Sequence, residues 1–567
     1  MNEDFRKSPP EALPAVPFNI PKPVQFELEN GLRVVCVEDN RFPTISLRLG
    51  TRFGDIDDPA DGTGVNSAMA SLMTEGTANY GSRELAEEIE KLGGGLSVGS
   101  SFDHTVLRLS SLTVHFERMT SLMAEVLLRP AFPENELELY KKNAIEGLKY
   151  QRSQPDFLAD EQVSSIVYGD HPYSVNSPDE RDFAKIGREQ VESAWKQGII
   201  PNNSILVVVG DISAEQLRRS LESNLSEWRE GTAPTREFQA APERDRRTLT
   251  IVDRPGSTQS NIVLANIAIN RTSPDYFPVL LMNQVLGAGA SSRLFMNLRE
   301  EKGYTYGAYS RIHAKQYLGT FEATSEVRSA VTGDSLREFF YELERIRDED
   351  VTEKELDDAK NFLAGVFPIR AETQSGLIGL IVAQQLHGLP DDYLETYRDN
   401  VRNVSAAEVR RVANQYVHPD SIAIVVVGDA DEIMGQVKPF AEQLSVFDTA
   451  GKPLEIKAYE SDEGGVPADL TGKWNVIVDA QGQEMPVTIS LEQDGEKISG
   501  EMNSMLGDGK IESGSVSGSK FSATVMSEFQ GQEFSLTLKG TTEGDSIVGT
   551  ISIPMMPEPL GFRGTKE

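Results

Sequence analysis

A strand motif that occurs twice constrains the fold of this chain more than any other feature of the sequence. Residues 204–211 read SILVVVGD, and residues 421–429 read SIAIVVVGD. A run of β-branched residues is typical of a fully buried strand, and helical patterns flank both copies. The elements before each copy follow the same order, and Gly428 lies 218 positions after Gly210. A repeat of roughly 215 residues predicts two similar α/β modules.

The elements of both halves can be predicted from hydrophobic period and turn residues. Residues 24–39 alternate apolar and polar around Asn30-Gly31, a strong hairpin signal, and a strand at 44–51 leads to a helical segment at 64–77. Further helices are predicted at 82–92, 115–128, 134–153, 159–167 and 189–196, and a strand pair at 96–102 and 105–112. The second half repeats this order, with strands at 247–253, 261–269, 304–312 and 318–325 and helices at 274–286 and near 293–301.

The last region has a different pattern, with short alternating strands every eight to twelve residues from Leu470 onward. Gly-containing turns such as Asp494-Gly495 separate the strands, which is typical of a small antiparallel barrel or sandwich. Gly472-Lys473-Trp474 resembles the G-x-W motif of lipocalins. A single Trp under a barrel usually belongs to the core, so we assign this lipocalin-like domain no ligand.

The predicted fold class is therefore α+β: two homologous α/β modules, each a mixed sheet packed with helices, followed by a small antiparallel β-barrel. The boundary between the modules falls in a polar stretch near 230–246. We divide the chain into a proline-rich arm at 1–23, module 1 at 24–236, module 2 at 237–455, a linker at 456–468 and the barrel at 469–567.

Composition and charge exclude several classes of function. The formal net charge of −33 argues against a nucleic-acid or anionic-membrane partner, because phosphate binding needs a basic surface. No apolar run of 18 or more residues is present, so no membrane-spanning helix is expected. The single cysteine, Cys36, excludes an intrachain disulfide framework and a zinc site made of thiolates.

The histidines exclude a helical zinc site of the usual kind. Such a site needs two imidazoles at i and i+4 so that both face the metal, with a carboxylate nearby as general base. The chain has six histidines, and the closest two, His104 and His115, are eleven residues apart. We therefore expect no metal in this chain.

The segment 64–77, GVNSAMASLMTEGT, resembles the catalytic helix of the pitrilysin/insulinase metallopeptidases in frame and length. Those enzymes carry a zinc-binding H-x-x-E-H between a glycine and a terminal Gly-Thr. Their two histidine positions fall here on Ser67 and Ser71, and the glutamate position falls on Ala70. Their third zinc ligand, a glutamate about 75 residues after the second histidine, falls on Glu146. The resemblance implies a degenerate zinc site here and a zinc ion in a partner subunit.

A second resemblance to the same family lies in module 2. Arg299 and Tyr306 are seven residues apart and follow the Gly-rich stretch 287–292. In the family, an Arg and a Tyr at this spacing reach across to the active site of the other half, where the Tyr polarises the scissile carbonyl and the Arg orients it. The resemblance implies this role for Arg299 and Tyr306, in trans, toward a partner's site. From the residues alone, a surface Arg and a Tyr packed in a core are the alternative.

Residues 95–99 match G-x-S-x-G, the serine-hydrolase elbow. That elbow needs a strand before the serine and a helix after it, whereas here a predicted helix precedes and a strand follows. The stretch is better interpreted as an edge strand near the cleft. In the resembled family the corresponding strand pairs with the peptide substrate through backbone hydrogen bonds, which implies substrate binding at Ser97, Gly99, Ser100 and Ser101.

The resemblance covers about residues 24–445 and implies a non-catalytic subunit of a heteromeric zinc metallopeptidase. A partner with an intact H-x-x-E-H would supply the zinc, and this chain would close the peptide chamber and supply Arg299 and Tyr306. Catalysis by this chain alone is not expected. Two alternatives stay open: a proteolytically silent scaffold subunit, and a protein that binds peptides or small ligands without turnover.

The proline-rich arm bears on location. Residues 1–23 contain no visible signal peptide. They resemble the segment that follows a removed export signal in periplasmic members of the family. The resemblance implies a periplasmic or otherwise extracytoplasmic location, with a cytoplasmic location as the alternative.

Overall fold

The structure is a computed structural model, and it describes residues 20–59, 62–456, 467–480, 483–504, 507–529, 532–552 and 560–567. The chain forms two compact units: residues up to 429 with 436–453, and residues 430–435 with 454–567. The predicted α+β class, with two α/β modules and a barrel, is confirmed. The predicted arm at 1–23 and linker at 456–468 fall largely outside the described residues, so the domain boundaries stay predictions.

Module 1 is built on a six-stranded mixed sheet with the strand order β1-β2-β6-β3-β5-β4. Its strands are β1 (Val24–Glu27), β2 (Arg33–Glu38), β3 (Thr44–Thr51), β4 (Gly95–Ser100), β5 (Thr105–Leu112) and β6 (Ser204–Gly210). Its helices are α1 (Val65–Leu72), α2 (Ser82–Lys91), α3 (Phe116–Leu128), α4 (Glu134–Arg152), α5 (Pro155–Tyr168), α6 (Glu180–Lys185), α7 (Arg188–Gly198) and α8 (Ala214–Leu225). The predicted hairpin joins β1 to β2, with Gly31 at φ 76°, a backbone conformation that glycine adopts without strain.

Module 2 is built on a seven-stranded sheet with the order β13-β12-β7-β11-β8-β10-β9. Its strands are β7 (Thr248–Asp253), β8 (Gln259–Ile267), β9 (Thr305–Ala314), β10 (Gly319–Arg328), β11 (Ala423–Gly428), β12 (Gln443–Phe447) and β13 (Pro453–Leu454). Its helices are α9 (Tyr276–Leu286), α10 (Arg293–Phe295), α11 (Thr332–Asp348), α12 (Glu353–Glu372), α13 (Gln374–Leu386), α14 (Tyr393–Asn403) and α15 (Ala406–Tyr416), and α16 (Ala430–Val437) follows β11.

The repeated strand motif forms an interior strand of each sheet. β6 pairs in parallel with β2 and antiparallel with β3, and β11 pairs in parallel with β7 and antiparallel with β8. Every residue of both strands is buried. Continuous apolar runs suit these positions because both faces of each sheet are covered.

The two modules exchange helices. Leu377, Ile378 and Ile381 of α13, from module 2, belong to one apolar cluster with Val35 and Val207 in the sheet of module 1. Conversely, α5 of module 1 packs its apolar face on β8 and β11 of module 2. Burying each such side chain contributes about 1.5–3 kcal/mol. Because each sheet relies on a helix of the other module, the two modules stabilise each other.

A second contact between the modules surrounds Lys315, in the turn between β9 and β10. Its ammonium nitrogen lies 4.2 Å from the ring centroid of Phe102, 4.7 Å from that of Tyr168 and 4.6 Å from that of Tyr173, all in module 1. Burial lowers the pKa of Lys315 to about 8. A cation held against three aromatic rings fixes this hairpin of module 2 on module 1.

The helix predicted at 64–77 is shorter in the structure. It ends at Leu72. Gly76 takes φ 115°, and Thr77 pairs with Pro130 as an isolated bridge, so the end of the segment is extended rather than helical.

Further elements differ from the sequence-based expectation, and helices α11 to α14 and strands β12 and β13 have no counterpart among the predicted elements. The helix predicted near 293–301 is divided into α10 and a π-helix at Met296–Glu301. Helix α6 has no counterpart among the predicted helices, although Asp179 and Asp182 form a capping box at its start. None of the described helices is long and apolar enough to cross a membrane.

The second unit contains a closed antiparallel barrel in which strands adjacent in sequence are neighbours. The predicted barrel is confirmed, and Trp474 belongs to its core: the side chain is completely buried, and its indole N–H donates to the carbonyl oxygen of Leu470 at 2.9 Å. The strands are β14 (Gly472–Ala480), β15 (Gln483–Asp494), β16 (Lys497–Ser504), β17 (Gly507–Ser517), β18 (Lys520–Phe529), β19 (Gln532–Glu543), β20 (Ser546–Ser552) and β21 (Leu560–Lys566).

Candidate functional site

The three residues of α1 that are predicted to mark a degenerate zinc site have different surroundings. Ala70 is completely buried, Ser71 is exposed and Ser67 is half-buried. The Ser67 hydroxyl donates to both carboxylate oxygens of Asp55, at 3.0 and 3.1 Å. Ser67 therefore makes a hydrogen bond within the protein, and α1 offers neither an imidazole nor a general base.

Glu146 lies on an exposed face of α4, where its carboxylate pairs with Lys149 at 3.0 Å. An exposed ion pair of this kind contributes little to stability because solvent screens it.

The residues at the degenerate site do not fit zinc. Catalytic zinc takes imidazole nitrogen, thiolate sulfur or carboxylate oxygen from about three side chains. Two serine hydroxyls, one methyl group and one carboxylate do not make such a set. Within the part of the chain that the structure describes, no cluster of three or more His, Cys, Asp and Glu could hold a metal ion. That this chain carries no metal in solution stays a prediction.

The turn at 54–59, before α1, contains three aspartates, and the side chains of all three accept hydrogen bonds from other parts of module 1. Asp58 accepts hydrogen bonds from the backbone N–H groups of Gly64 (2.6 Å) and Asn66 (2.9 Å), and so caps α1. Burial raises the pKa of Asp58 to about 7. Asp57 forms a buried ion pair with Arg236, at 2.6 Å. The turn thereby fixes both the start of α1 and the chain that leads to module 2.

Strand β4 lies at the edge of its sheet, as expected, and pairs with β5 alone among the described residues. Ser97 and Gly99 lie within the strand, Ser100 ends it and Ser101 follows it. The Ser100 hydroxyl donates to Asp55 at 2.7 Å. Because Ser97 stands in mid-strand, the G-x-S-x-G match has no elbow geometry. Peptide binding by these residues stays a prediction.

Arg299 and Tyr306 lie on consecutive elements of module 2. Arg299 belongs to the π-helix, with its guanidinium 4.8 Å from the ring centroid of Phe295 and its Nε 3.5 Å from a carboxylate oxygen of Glu300. Tyr306 is the second residue of the edge strand β9 and is 87% exposed. The alternative in which this Tyr packs in a core is therefore wrong. The action of both residues on a partner's site stays a prediction.

Two family models match the chain. The model described as "Insulinase (Peptidase family M16)" matches residues 33–177, and the model described as "Peptidase M16 inactive domain" matches residues 185–363. Both matches lie in the unit that contains the two α/β modules.

Relatives with different descriptions are similar to the chain over comparable lengths. "Non-peptidase homolog YmxG" of Helicobacter pylori is 23% identical over 406 residues, which are 70% of this chain and 91% of that protein. "Zinc protease PqqE" of the same organism is 22% identical over 411 residues, 70% of this chain and 90% of that protein. Similarity of sequence alone therefore does not separate peptidases from non-peptidases.

Solved structures share the fold of the two modules. The crystal structure of a peptidase M16 inactive domain from Pseudomonas fluorescens is 28% identical, with a TM-score of 0.67, over 72% of this chain and 98% of that chain. A protease from Helicobacter pylori, 20% identical, has a TM-score of 0.68 over 72% of this chain and 100% of that one. At this level of identity the second likeness concerns the fold alone.

Proposed function

The chain belongs to the insulinase (M16) family of peptidases, and we propose that it acts there as a non-catalytic subunit of a heteromeric zinc metallopeptidase. The proposal is carried by α1, at Val65–Leu72: the resemblance assigns Ser67, Ala70 and Ser71 to the zinc-binding and basic positions of the family, and none of these residue types is a usual zinc ligand or general base. A chain that has the family's fold but lacks the zinc ligands and the general base can still serve as a subunit of an assembly. The match to a model described as an inactive domain supports the same conclusion.

The partner in this proposal is a chain with an intact H-x-x-E-H, whose zinc activates the water that hydrolyses the peptide bond. This chain closes the chamber and directs Arg299 and Tyr306 at the partner's site. A guanidinium and a phenol hydroxyl donate hydrogen bonds with fixed geometry toward the charge that develops on the carbonyl oxygen. The high exposure of Tyr306 supports this role, because the ring contributes little to the core of module 2.

The substrate in this proposal is an extended peptide that lies along the edge strand β4. An edge strand has a row of backbone N–H and C=O groups that an added strand can pair with, whatever its side chains. Ser97, Gly99 and Ser100 lie in this strand and Ser101 directly follows it, and none of them has a bulky side chain that would cover the backbone of the edge.

The experiment joins the full chain with a candidate H-x-x-E-H partner and measures the cleavage of a fluorogenic peptide. Tyr306→Phe removes one hydroxyl, and we expect it to lower kcat about 100-fold, as the loss of one oxyanion donor does. Arg299→Ala lowers the rate as well. Size-exclusion chromatography checks that both variants stay in the complex.

The matched control is Tyr309→Phe, a second exposed tyrosine on β9. It loses the same hydroxyl from the same strand and should keep the wild-type rate. An intact complex in which Tyr306→Phe and Arg299→Ala also keep the wild-type rate would favour a silent scaffold subunit. Peptide binding by this chain without any active complex would favour a binding protein.

A further inference from the structure

Asp55 joins two elements of module 1 to the turn in which it lies. Its carboxylate accepts the Ser67 hydroxyl of α1 on both oxygens, at 3.0 and 3.1 Å, and the Ser100 hydroxyl at the end of β4, at 2.7 Å. Burial raises the pKa of Asp55, and the hydrogen bonds from the two serines act against this rise. Both carboxylate oxygens accept a serine hydroxyl, so one side chain joins α1 to the end of β4.

The backbone of the same turn is joined to the residues that follow β4. The N–H of Asp55 donates to the carbonyl oxygen of Ser101, and the N–H of Ile56 donates to that of Phe102, both at 2.9 Å. At Gly54 there is no room for a side chain, because a Cβ there would lie 2.3 Å from the Ser101 oxygen. The turn and the end of the strand are therefore closely packed on each other.

Strand β4 needs such support because it lies at an edge. Within the described ranges it pairs with β5 alone. A strand held from one side has fewer backbone hydrogen bonds than a central strand and opens locally at a lower cost. The link through Asp55 acts at the end of β4, next to the turn that leads to β5.

We propose that Asp55 is a positioning residue for peptide binding: it fixes the edge strand β4 to the degenerate zinc-site helix and keeps the strand ready to accept an extended peptide. The inference rests on the proposed function, in which β4 holds the substrate. Ser67, at the position of a zinc-binding histidine in the family, supplies the fixed end of the link. A preorganised edge binds more tightly because less conformational freedom is lost on binding.

The test uses the full chain and compares Asp55→Asn and Ser100→Ala with Asp348→Asn, the same charge change at an exposed position. Asparagine keeps the size of aspartate but loses its charge. Ser100→Ala removes a single hydroxyl, which makes it the variant that keeps its fold if Asp55→Asn does not. The probe is a fluorescein-labelled, unstructured ten-residue peptide of mixed sequence, titrated by fluorescence anisotropy. We expect Kd to rise about tenfold in the first two variants and to stay unchanged in the control.

A double variant and local amide exchange separate positioning from general stability. Asp55→Asn combined with Ser100→Ala should bind no more weakly than the weaker single variant, because both changes break the same link. Amide hydrogen exchange should become faster in β4 and stay unchanged in β6.

The outcomes distinguish this inference from the proposed function. A wild-type chain that binds the peptide with the same Kd as both single variants would overturn the inference and leave the proposed function standing. Losses of affinity that add up in the double variant would also overturn it. A wild-type chain that binds no peptide, alone or with its partner, would overturn the peptide-holding role of β4 and the inference with it.

Discussion

The two sheets end in edge strands with different surroundings. In module 1, β4 is tied through Ser100 and Asp55 to the helix that carries the degenerate site. In module 2, β9 presents Tyr306 to solvent, and Arg299 precedes it on a π-helix, an irregularity that is frequent at functional sites. Sheets of similar build can therefore present different edges to other molecules. In our account one edge holds the substrate, and the other offers hydrogen-bond donors to a partner's site.

The largest loss of stability is expected in module 1, when the buried ion pair between Arg236 and Asp57 is broken. The side chains of Arg236 and Asp57 are 11% and 4% exposed, so Arg236→Ala leaves a buried carboxylate without its cation. We expect the free energy of unfolding to fall by about 3–5 kcal/mol, measured by urea denaturation. The control is Arg83→Ala, whose pair with Glu87 is exposed and should be worth less than about 1 kcal/mol. If Arg236→Ala and Arg83→Ala lowered the free energy of unfolding equally, the buried ion pair would contribute no more to stability than the exposed one.

Weaker packing of either exchanged helix should lower the free energy of unfolding by a similar amount. Ile381 of α13 and Leu158 of α5 are buried against the sheet of the other module. Each change to alanine should lower the free energy of unfolding by about 2–5 kcal/mol, because the cavity cannot collapse fully. Ile369→Ala on α12, where the side chain is 67% exposed, is the control and should change stability by less than about 0.5 kcal/mol. A large loss of unfolding free energy for only one of the two buried variants would show that only one module depends strongly on the helix of the other.

The exchange of helices shows where prediction from the sequence ends. The β-branched runs of β6 and β11 and the Asn30-Gly31 hairpin could be predicted, because their signals are local. The apolar pattern at 159–167 predicts a helix with a buried face, but it cannot indicate which sheet that face meets. Only the folded chain places α5 on module 2.

The same limit applies to the candidate site: local spacing can be predicted from the sequence, but contacts between distant residues cannot. That Ser67, Ala70 and Ser71 lie on one helix could be predicted, because the pattern of small and apolar residues there is local. The link through Asp55 could not, because its donors lie 12 and 45 residues away in sequence and meet it only after folding.

The pH dependence of stability should have opposite signs at two carboxyl groups. Burial raises the pKa of Asp58 in module 1 from its usual 3.8 to about 7, so its contribution is full below about pH 4 and is lost as pH rises through about 7. Burial also acts to raise the pKa of Glu355 in module 2, but hydrogen bonds from Arg293 and Thr352 outweigh it and lower the value from 4.5 to about 2. The contribution of Glu355 is therefore full above about pH 4.5 and is lost as pH falls through about 2.

Thermal midpoints of Asp58→Asn and Glu355→Gln, measured between about pH 3 and pH 8, test this difference. Relative to the wild type, Asp58→Asn should gain stability as pH rises, and Glu355→Gln should gain stability as pH falls. If both variants shifted in the same direction with pH, one of the two assignments would be wrong.

This chain keeps the fold of a peptidase module pair, and we expect it to bind no zinc at α1. Zinc content and peptide cleavage of the purified chain, measured first alone and then with an H-x-x-E-H partner, test this expectation. We expect no stoichiometric zinc and no cleavage by the chain alone, and cleavage that depends on the partner. One zinc ion per chain together with cleavage by the chain alone would overturn the proposal.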